Sequence, residues 1–225
     1  MTRVKMCGLR TPADIAAANL VRPDYVGFVF APGSRRAVSL AQARVLRGLL
    51  ARGICAVGVF VDAPVDEVAA ALASGAIDAV QLHGGEDAGY IERLRKAARL
   101  APAPAARARL IDARTVRTAD DVRSACASAA DAILLDNGMG TGKAFDHALV
   151  ELADRPFFLA GGLTPGNVGA AVRRLSPFAV DVSSGIEVGG AKDLGRMRAF
   201  ARAVAAADAA GPGPERWRAA PRPPR

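Results

Sequence analysis

Short β-branched apolar runs recur along the chain, and Ala- and Arg-rich stretches of helical character lie between them. Such alternation signals parallel strands joined by helical crossovers. The runs predict strands at 4–7, 25–30, 56–61, 79–82, 110–113, 132–136, 157–160 and 179–182. Eight repeats in this length favour closure into a (β/α)8 TIM barrel of the α/β class over a doubly wound open sheet. The fifth strand has the shortest apolar core, in RLIDART, and follows a stretch rich in alanine with two prolines.

Several strands exit into polar or glycine-rich turns: CGLR, HGGED, LDNGMGTG, AGGLTPGN and DVSSG. In a barrel these exits share one rim, the catalytic face. Helix starts agree with this register. Thr11-Pro12 and Thr164-Pro165 each set a capping residue before a proline suited to the first helical position, and Ser39 is a further cap. The last helix is expected from Asp193 to about Ala209, which gives one barrel domain over 1–210.

Hydrophobic residues are 51% of the 225, enough for one sizeable core. No run approaches the roughly 18 apolar residues of a membrane span, and residues 1–10 lack a signal-peptide layout, so a cytoplasmic protein without membrane contact is expected. Cys7, Cys55 and Cys126 form no CxxC pair and no Cys/His cluster. That argues against a disulfide framework and against a metal site. The formal charge of +8 raises the question of a nucleic-acid partner. Its distribution argues otherwise. Residues 211–225 hold four arginines, one glutamate and five of the fourteen prolines, so +3 lies in a segment with almost nothing to bury, read as a disordered tail. The remaining +5 is spread over the predicted helices, as suits an enzyme with an anionic substrate.

Glycine-rich turns follow the seventh and eighth strands, at Gly161-Gly162 and Ser183-Ser184-Gly185. Glycine lets backbone approach a ligand closely, and barrels often bind phosphate between these two loops. GMGTGKAF is not a nucleotide P-loop, because Asn137 stands where that motif has glycine and Ala144 where it has a hydroxyl. A lid over a ligand is the better reading. Cys7 and Asp136 close the first and sixth strands, and period two puts Lys5 on the face of Cys7. An ammonium there is expected to lower the thiol pKa. Other readings stay open: a cysteine at a strand end also serves as a small buried hydrophobe, and an aspartate as a turn cap. His83 follows the fourth strand, His147 lies beyond the lid and reads as a surface or capping residue, and Arg35 and Arg36 follow the second strand, where a guanidinium can clamp a carboxylate.

The ordered set VKMCGLRTPAD, DYVGFVFAPGSRR, VGVFVD, VQLHGGED, LLDNGMGTGKAFDH, FFLAGGLTPGNV and AVDVSSGIEVGGAKD resembles the phosphoribosylanthranilate isomerases of tryptophan biosynthesis. The resemblance implies a cofactor-free Amadori rearrangement of N-(5-phosphoribosyl)anthranilate to 1-(2-carboxyphenylamino)-1-deoxyribulose 5-phosphate, by a monomer or weak homodimer. It implies Cys7 as general base and Asp136 as general acid, with Arg36 on the anthranilate carboxylate. His83 and Asp181 would line the substrate site, and Gly162, Ser183, Ser184 and Gly185 would bind phosphate by backbone and hydroxyl donors.

Three features depart from the family pattern. Arg35 replaces a usual proline, the sixth loop is shorter than in many relatives, and LIDARTV replaces a KAxxV motif on the fifth strand. Two alternatives remain at this point: a barrel isomerase acting on the histidine-pathway aminoimidazole ribotide or on both substrates, and a noncatalytic phosphoribosyl- or RNA-binding protein. The first typically uses two aspartates, against which Cys7 stands.

Overall fold

In the computed structural model the described residues are 1–101, 103, 109–136 and 147–211, with only the backbone described at His147. The lid reading of GMGTGKAF, the side chain of His147 and the tail beyond Gly211 lie outside them. Eight parallel strands close into a barrel in the order β1 to β8. They are β1 (Arg3–Cys7), β2 (Tyr25–Val29), β3 (Cys55–Phe60), β4 (Ala79–Leu82), β5 (Leu110–Thr115), β6 (Ala132–Asp136), β7 (Phe157–Ala160) and β8 (Ala179–Val182). Every strand expected from the apolar runs is present. β5 runs two residues further than its apolar core, because Arg114 and Thr115 still pair with Leu135 and Asp136 through the backbone.

Helices α1 (Pro12–Val21), α2 (Leu40–Leu49), α3 (Val65–Ala73), α4 (Ala88–Ala98), α5 (Ala119–Cys126), α6 (His147–Val150), α7 (Val168–Leu175) and α8 (Leu194–Ala209) surround the strands. Thr11 and Ser39 cap α1 and α2 through full capping boxes, with Asp14 and Gln42 bonding back to the cap amides. Thr164-Pro165 differs from expectation. It opens a turn, fixed by Asn167 Nδ2 donating to the Gly162 carbonyl at 2.9 Å, and α7 begins only at Val168.

Strand alternation divides the apolar residues into two layers. Val4, Met6, Val180 and Val182 face outward into the large core between strands and helices. Ile111, Leu134, Phe158 and Phe178 fill the barrel interior with smaller alanines. Fully buried side chains of this size, such as Phe158, each contribute about 1.5–3 kcal/mol. Above that layer the interior turns polar, with Lys5, Gln81 and Asp181 all buried. The described ends are tied together, since Thr2 donates through its amide and hydroxyl to Asp208 of α8 at 2.7 and 2.9 Å.

Candidate active site

The inward positions of β1 are Arg3, bonded to Tyr25 at the far end of the strand, and Lys5 and Cys7 towards the rim. Lys5 is completely buried and donates to Asp181 Oδ2 on the adjacent β8 at 2.8 Å. Burial works against the Lys5 ammonium, but Asp181 and Cys7 outweigh it and hold the charge. Cys7 stands directly above, buried against Val29 and Val59. Its thiol departs from the sequence expectation: burial pushes the pKa up by more than the Lys5 ammonium draws it down, so the net shift is upward. The strand partner of Cys7 is Gly27, and a Cβ there would stand 2.6 Å from Sγ, so glycine is what gives the thiol its room.

Asp136 ends β6, three strands round from β1 through β7 and β8. Its Oδ2 lies 3.9 Å from His83 Nε2, which follows β4 on the same rim. Gln81, two residues before His83 and buried, approaches His83 Nδ1 at 3.4 Å. The HGGED turn is held from below by Glu86, whose buried carboxylate accepts the Asp62 amide at 2.9 Å and the Gly84 amide at 2.7 Å. Arg114 of β5 pairs with Asp112 at 2.7 Å, and it lines, with His83, a cleft of about 310 Å³ at this edge of the rim. The fifth strand therefore contributes an internally paired arginine.

Arg35 and Arg36 are separated by their surroundings. Arg35 is 62% exposed, whereas Arg36 is 21% exposed and reaches inward. Both meet Glu187. Arg36 grips it in two-pronged fashion, Nε to Oε1 at 2.7 Å and Nη2 to Oε2 at 2.9 Å. Glu187 begins β9 (Glu187–Val188), which pairs antiparallel with β10 (Ala191–Lys192) in a hairpin after β8. The turn residues Gly189 and Gly190 both have positive φ, 58° and 81°, as a tight two-residue turn needs. That turn sets Lys192 opposite Glu187, where its Nζ donates to Oε1 at 2.8 Å. Burial opposes the Glu187 charge, but Arg36 and Lys192 override it and pull the pKa down to about 2. For Lys192 burial wins and its pKa falls despite Glu187.

The loops after β7 and β8 touch. A Cβ on Gly185 would stand 1.9 Å from the Leu163 carbonyl oxygen, so this approach admits glycine alone. Gly162 has φ 60°, and Ser184 and Gly185 lie in a 3-10 turn (Ser184–Ile186). The Ser183 hydroxyl donates to the Cys7 carbonyl at 3.1 Å, so its hydrogen serves the first strand, and Lys192 Nζ donates to the Ser183 carbonyl at 2.9 Å. The structure thus brings Cys7, Asp181, Ser183 and Arg36 into one connected network and His83 beside Asp136. Sequence reasoning missed Glu187 and Lys192. Their signal was the EVGGAK segment, where a Gly-Gly turn predicts a cross-strand pair of opposite charges.

Closure of the sheet, with all of these groups at the carboxyl ends of its strands, puts the protein among the (β/α)8-barrel enzymes, whose chemistry is done on that rim. Comparison with known proteins narrows the class. The model of the family described as N-(5'phosphoribosyl)anthranilate (PRA) isomerase matches residues 4–203. The chain is 41% identical over 202 residues to the N-(5'-phosphoribosyl)anthranilate isomerase of Endomicrobium trichonymphae, covering 88% of this chain and 95% of that protein. Among solved structures, the phosphoribosyl anthranilate isomerase of Thermotoga maritima superposes with a TM-score of 0.80 at 33% identity, covering 92% of this chain and 100% of that one. A phosphoribosyl anthranilate isomerase in complex with reduced 1-(o-carboxyphenylamino)-1-deoxyribulose 5-phosphate superposes with a TM-score of 0.78 at 32% identity, with coverage of 92% and 100%. The chain belongs to the N-(5'-phosphoribosyl)anthranilate isomerase family.

Proposed function

We propose that this chain catalyses the Amadori rearrangement of N-(5-phosphoribosyl)anthranilate to 1-(2-carboxyphenylamino)-1-deoxyribulose 5-phosphate, a step of tryptophan biosynthesis, with Cys7 as general base and Asp136 as general acid. The observation that carries the assignment is the position of these two groups. They end strands three apart on one rim, so a sugar lying across the barrel mouth meets one on each side. Asp136 gives its proton to the furanose ring oxygen, the C1–O bond breaks, and the anthranilate nitrogen closes a Schiff base. Cys7, through the minor thiolate form that its raised pKa leaves, then takes the proton from sugar C2, and the resulting enolamine tautomerises to the ketone. Each proton transfer contributes about a hundredfold or more to such a reaction.

Substrate placement follows from the charges on the rim. Arg36 takes the anthranilate carboxylate, while Gly162, Ser183, Ser184 and Gly185 take the phosphate, mainly by backbone donors because the Ser183 hydroxyl is committed to Cys7. Asp181 supports this arrangement with an Oδ1 that is buried and, among the described residues, has no hydrogen-bond partner, ready to accept a sugar hydroxyl. His83, beside Asp136, lines the same side. A monomer or weak homodimer suffices, since all these groups come from one chain. Location in the cytoplasm fits the pathway, and among the described residues no helix is long and apolar enough to cross a membrane. The test is to generate phosphoribosylanthranilate in situ and follow the loss of its anthranilate fluorescence, with the histidine-pathway aminoimidazole ribotide substrate as comparison. Turnover of the first supports the proposal, and turnover of the second alone, or of neither, overturns it.

A further inference from the structure

We infer that Glu187 is a positioning residue for Arg36: its carboxylate holds one edge of the guanidinium so that the other edge is presented, ready-oriented, to the substrate's carboxylate. The inference rests on the reading of Arg36 as the carboxylate clamp. A guanidinium carries five N–H donors and can form two-pronged pairs along either of two edges. Glu187 takes the Nε/Nη2 edge, at 2.7 and 2.9 Å. Among the described residues the Nη1/Nη2 edge is left, on a side chain that is still 21% exposed.

The arm is held at its Cδ and at its guanidinium. Gly8 has φ 76°, and a Cβ there would stand 2.4 Å from Arg36 Cδ, so the outer end of the aliphatic stem lies against bare backbone. At its tip, Glu187 is itself immobilised, with a side chain only 7% exposed and held by Lys192 and Arg35 at 2.8 Å each. Three cations on one carboxylate leave the cluster with a net charge of +2, so a second carboxylate is still attracted after Glu187 has been satisfied. Lys192 also donates to the Ser183 carbonyl, and the Ser183 hydroxyl donates to the Cys7 carbonyl. The clamp is therefore registered against the strand that carries the base. An unheld arginine would lose rotamer freedom on binding, a cost that this arrangement meets during folding.

The test is a selectivity ratio. The dissociation constants of reduced 1-(2-carboxyphenylamino)-1-deoxyribulose 5-phosphate and of its phenylamino counterpart lacking the carboxylate are measured by calorimetry for the full chain, Glu187→Gln, Arg36→Ala and the double variant. Glu187→Gln is expected to reduce the preference for the carboxylated ligand about tenfold while leaving the carboxyl-free ligand unaffected, and to add nothing in the Arg36→Ala background. If Arg36→Ala abolishes the preference and Glu187→Gln leaves it intact, the positioning role is wrong. Equal weakening of both ligands by Glu187→Gln also overturns it, since that is what a general support of the loop would do. If Arg36→Ala itself leaves the preference unchanged, the clamp reading fails, and the inference falls with it. Should Glu187→Gln not fold, Glu187→Asp, which draws the anchor back by one methylene, is expected to reduce the ratio in the same direction, and an unchanged ratio there is likewise contrary.

Discussion

Gly185→Ala tests the joint between the loops after β7 and β8 by steric means alone. Gly185 does not have a left-handed backbone, so alanine adds no conformational strain of its own. Its Cβ, however, would stand 1.9 Å from the Leu163 carbonyl oxygen, 3.0 Å from the carbonyl carbon and 3.2 Å from Thr164 Cα. Carbon–oxygen contacts of this kind settle at about 3.3 Å or more, so the loops must part by about 1.4 Å. All three obstructing atoms are backbone, and no side-chain rotation relieves them. A displacement of about 1 Å in a positioning element costs on the order of a hundredfold in rate. We therefore expect kcat/KM to fall about a hundredfold and competitive inhibition by inorganic phosphate to weaken in parallel, with the far-UV spectrum and a cooperative melt retained. A folded Gly185→Ala enzyme with native kcat/KM and native phosphate inhibition would refute the assignment of phosphate to this joint.

Three further outcomes follow from the same account. Burial pushes the Cys7 pKa up, so in a Cys55→Ser/Cys126→Ser background iodoacetamide labelling should accelerate only as pH rises beyond the ordinary thiol range; a labelling midpoint near pH 7 would mean that Lys5 wins over burial. Glu187 titrates at about 2 when folded against an ordinary 4.5, so its stabilising contribution is complete above pH 4.5 and is lost as pH falls towards 2. The melting temperature of the wild type should accordingly fall more steeply than that of Glu187→Gln over this interval, and parallel curves would contradict the pairing. On the sequence expectation that residues 211–225, rich in Pro and Arg, add little to the core, truncation after Ala210 should leave turnover and Tm unchanged; a large loss of either would refute that expectation.

The barrel was legible because each strand is buried on both faces and so reads as a compact apolar run. Ends were less legible where polar residues continue the ladder, as at Arg114 and Thr115. A backbone pairing is indifferent to side-chain polarity at the rim. Candidate chemistry was visible where a strand end carried it, as with Cys7, Asp136 and His83. What could not be read was the balance of opposing effects. Lys5 was correctly set beneath Cys7, yet sequence does not say that desolvation of the thiol outweighs a neighbouring ammonium. Nor does it say that Arg36 already holds a carboxylate from a residue 151 positions away. Only the closure of β1 against β8, which brings the hairpin of Glu187 and Lys192 back to the second loop, makes that pair.

The central claim is that Cys7 removes the sugar proton. Its most direct test is the single-turnover rate of anthranilate-fluorescence loss with Cys7→Ala in excess over phosphoribosylanthranilate, beside the wild type and with folding checked by Tm. General-base catalysis is worth about a hundredfold at its lower end, so the variant should be slower by at least about that factor. A folded Cys7→Ala enzyme that turns over at near-native rate would contradict the account, since the next inward group of β1, Lys5, is fully buried and bound to Asp181, and Arg3 lies beyond it, bonded to Tyr25.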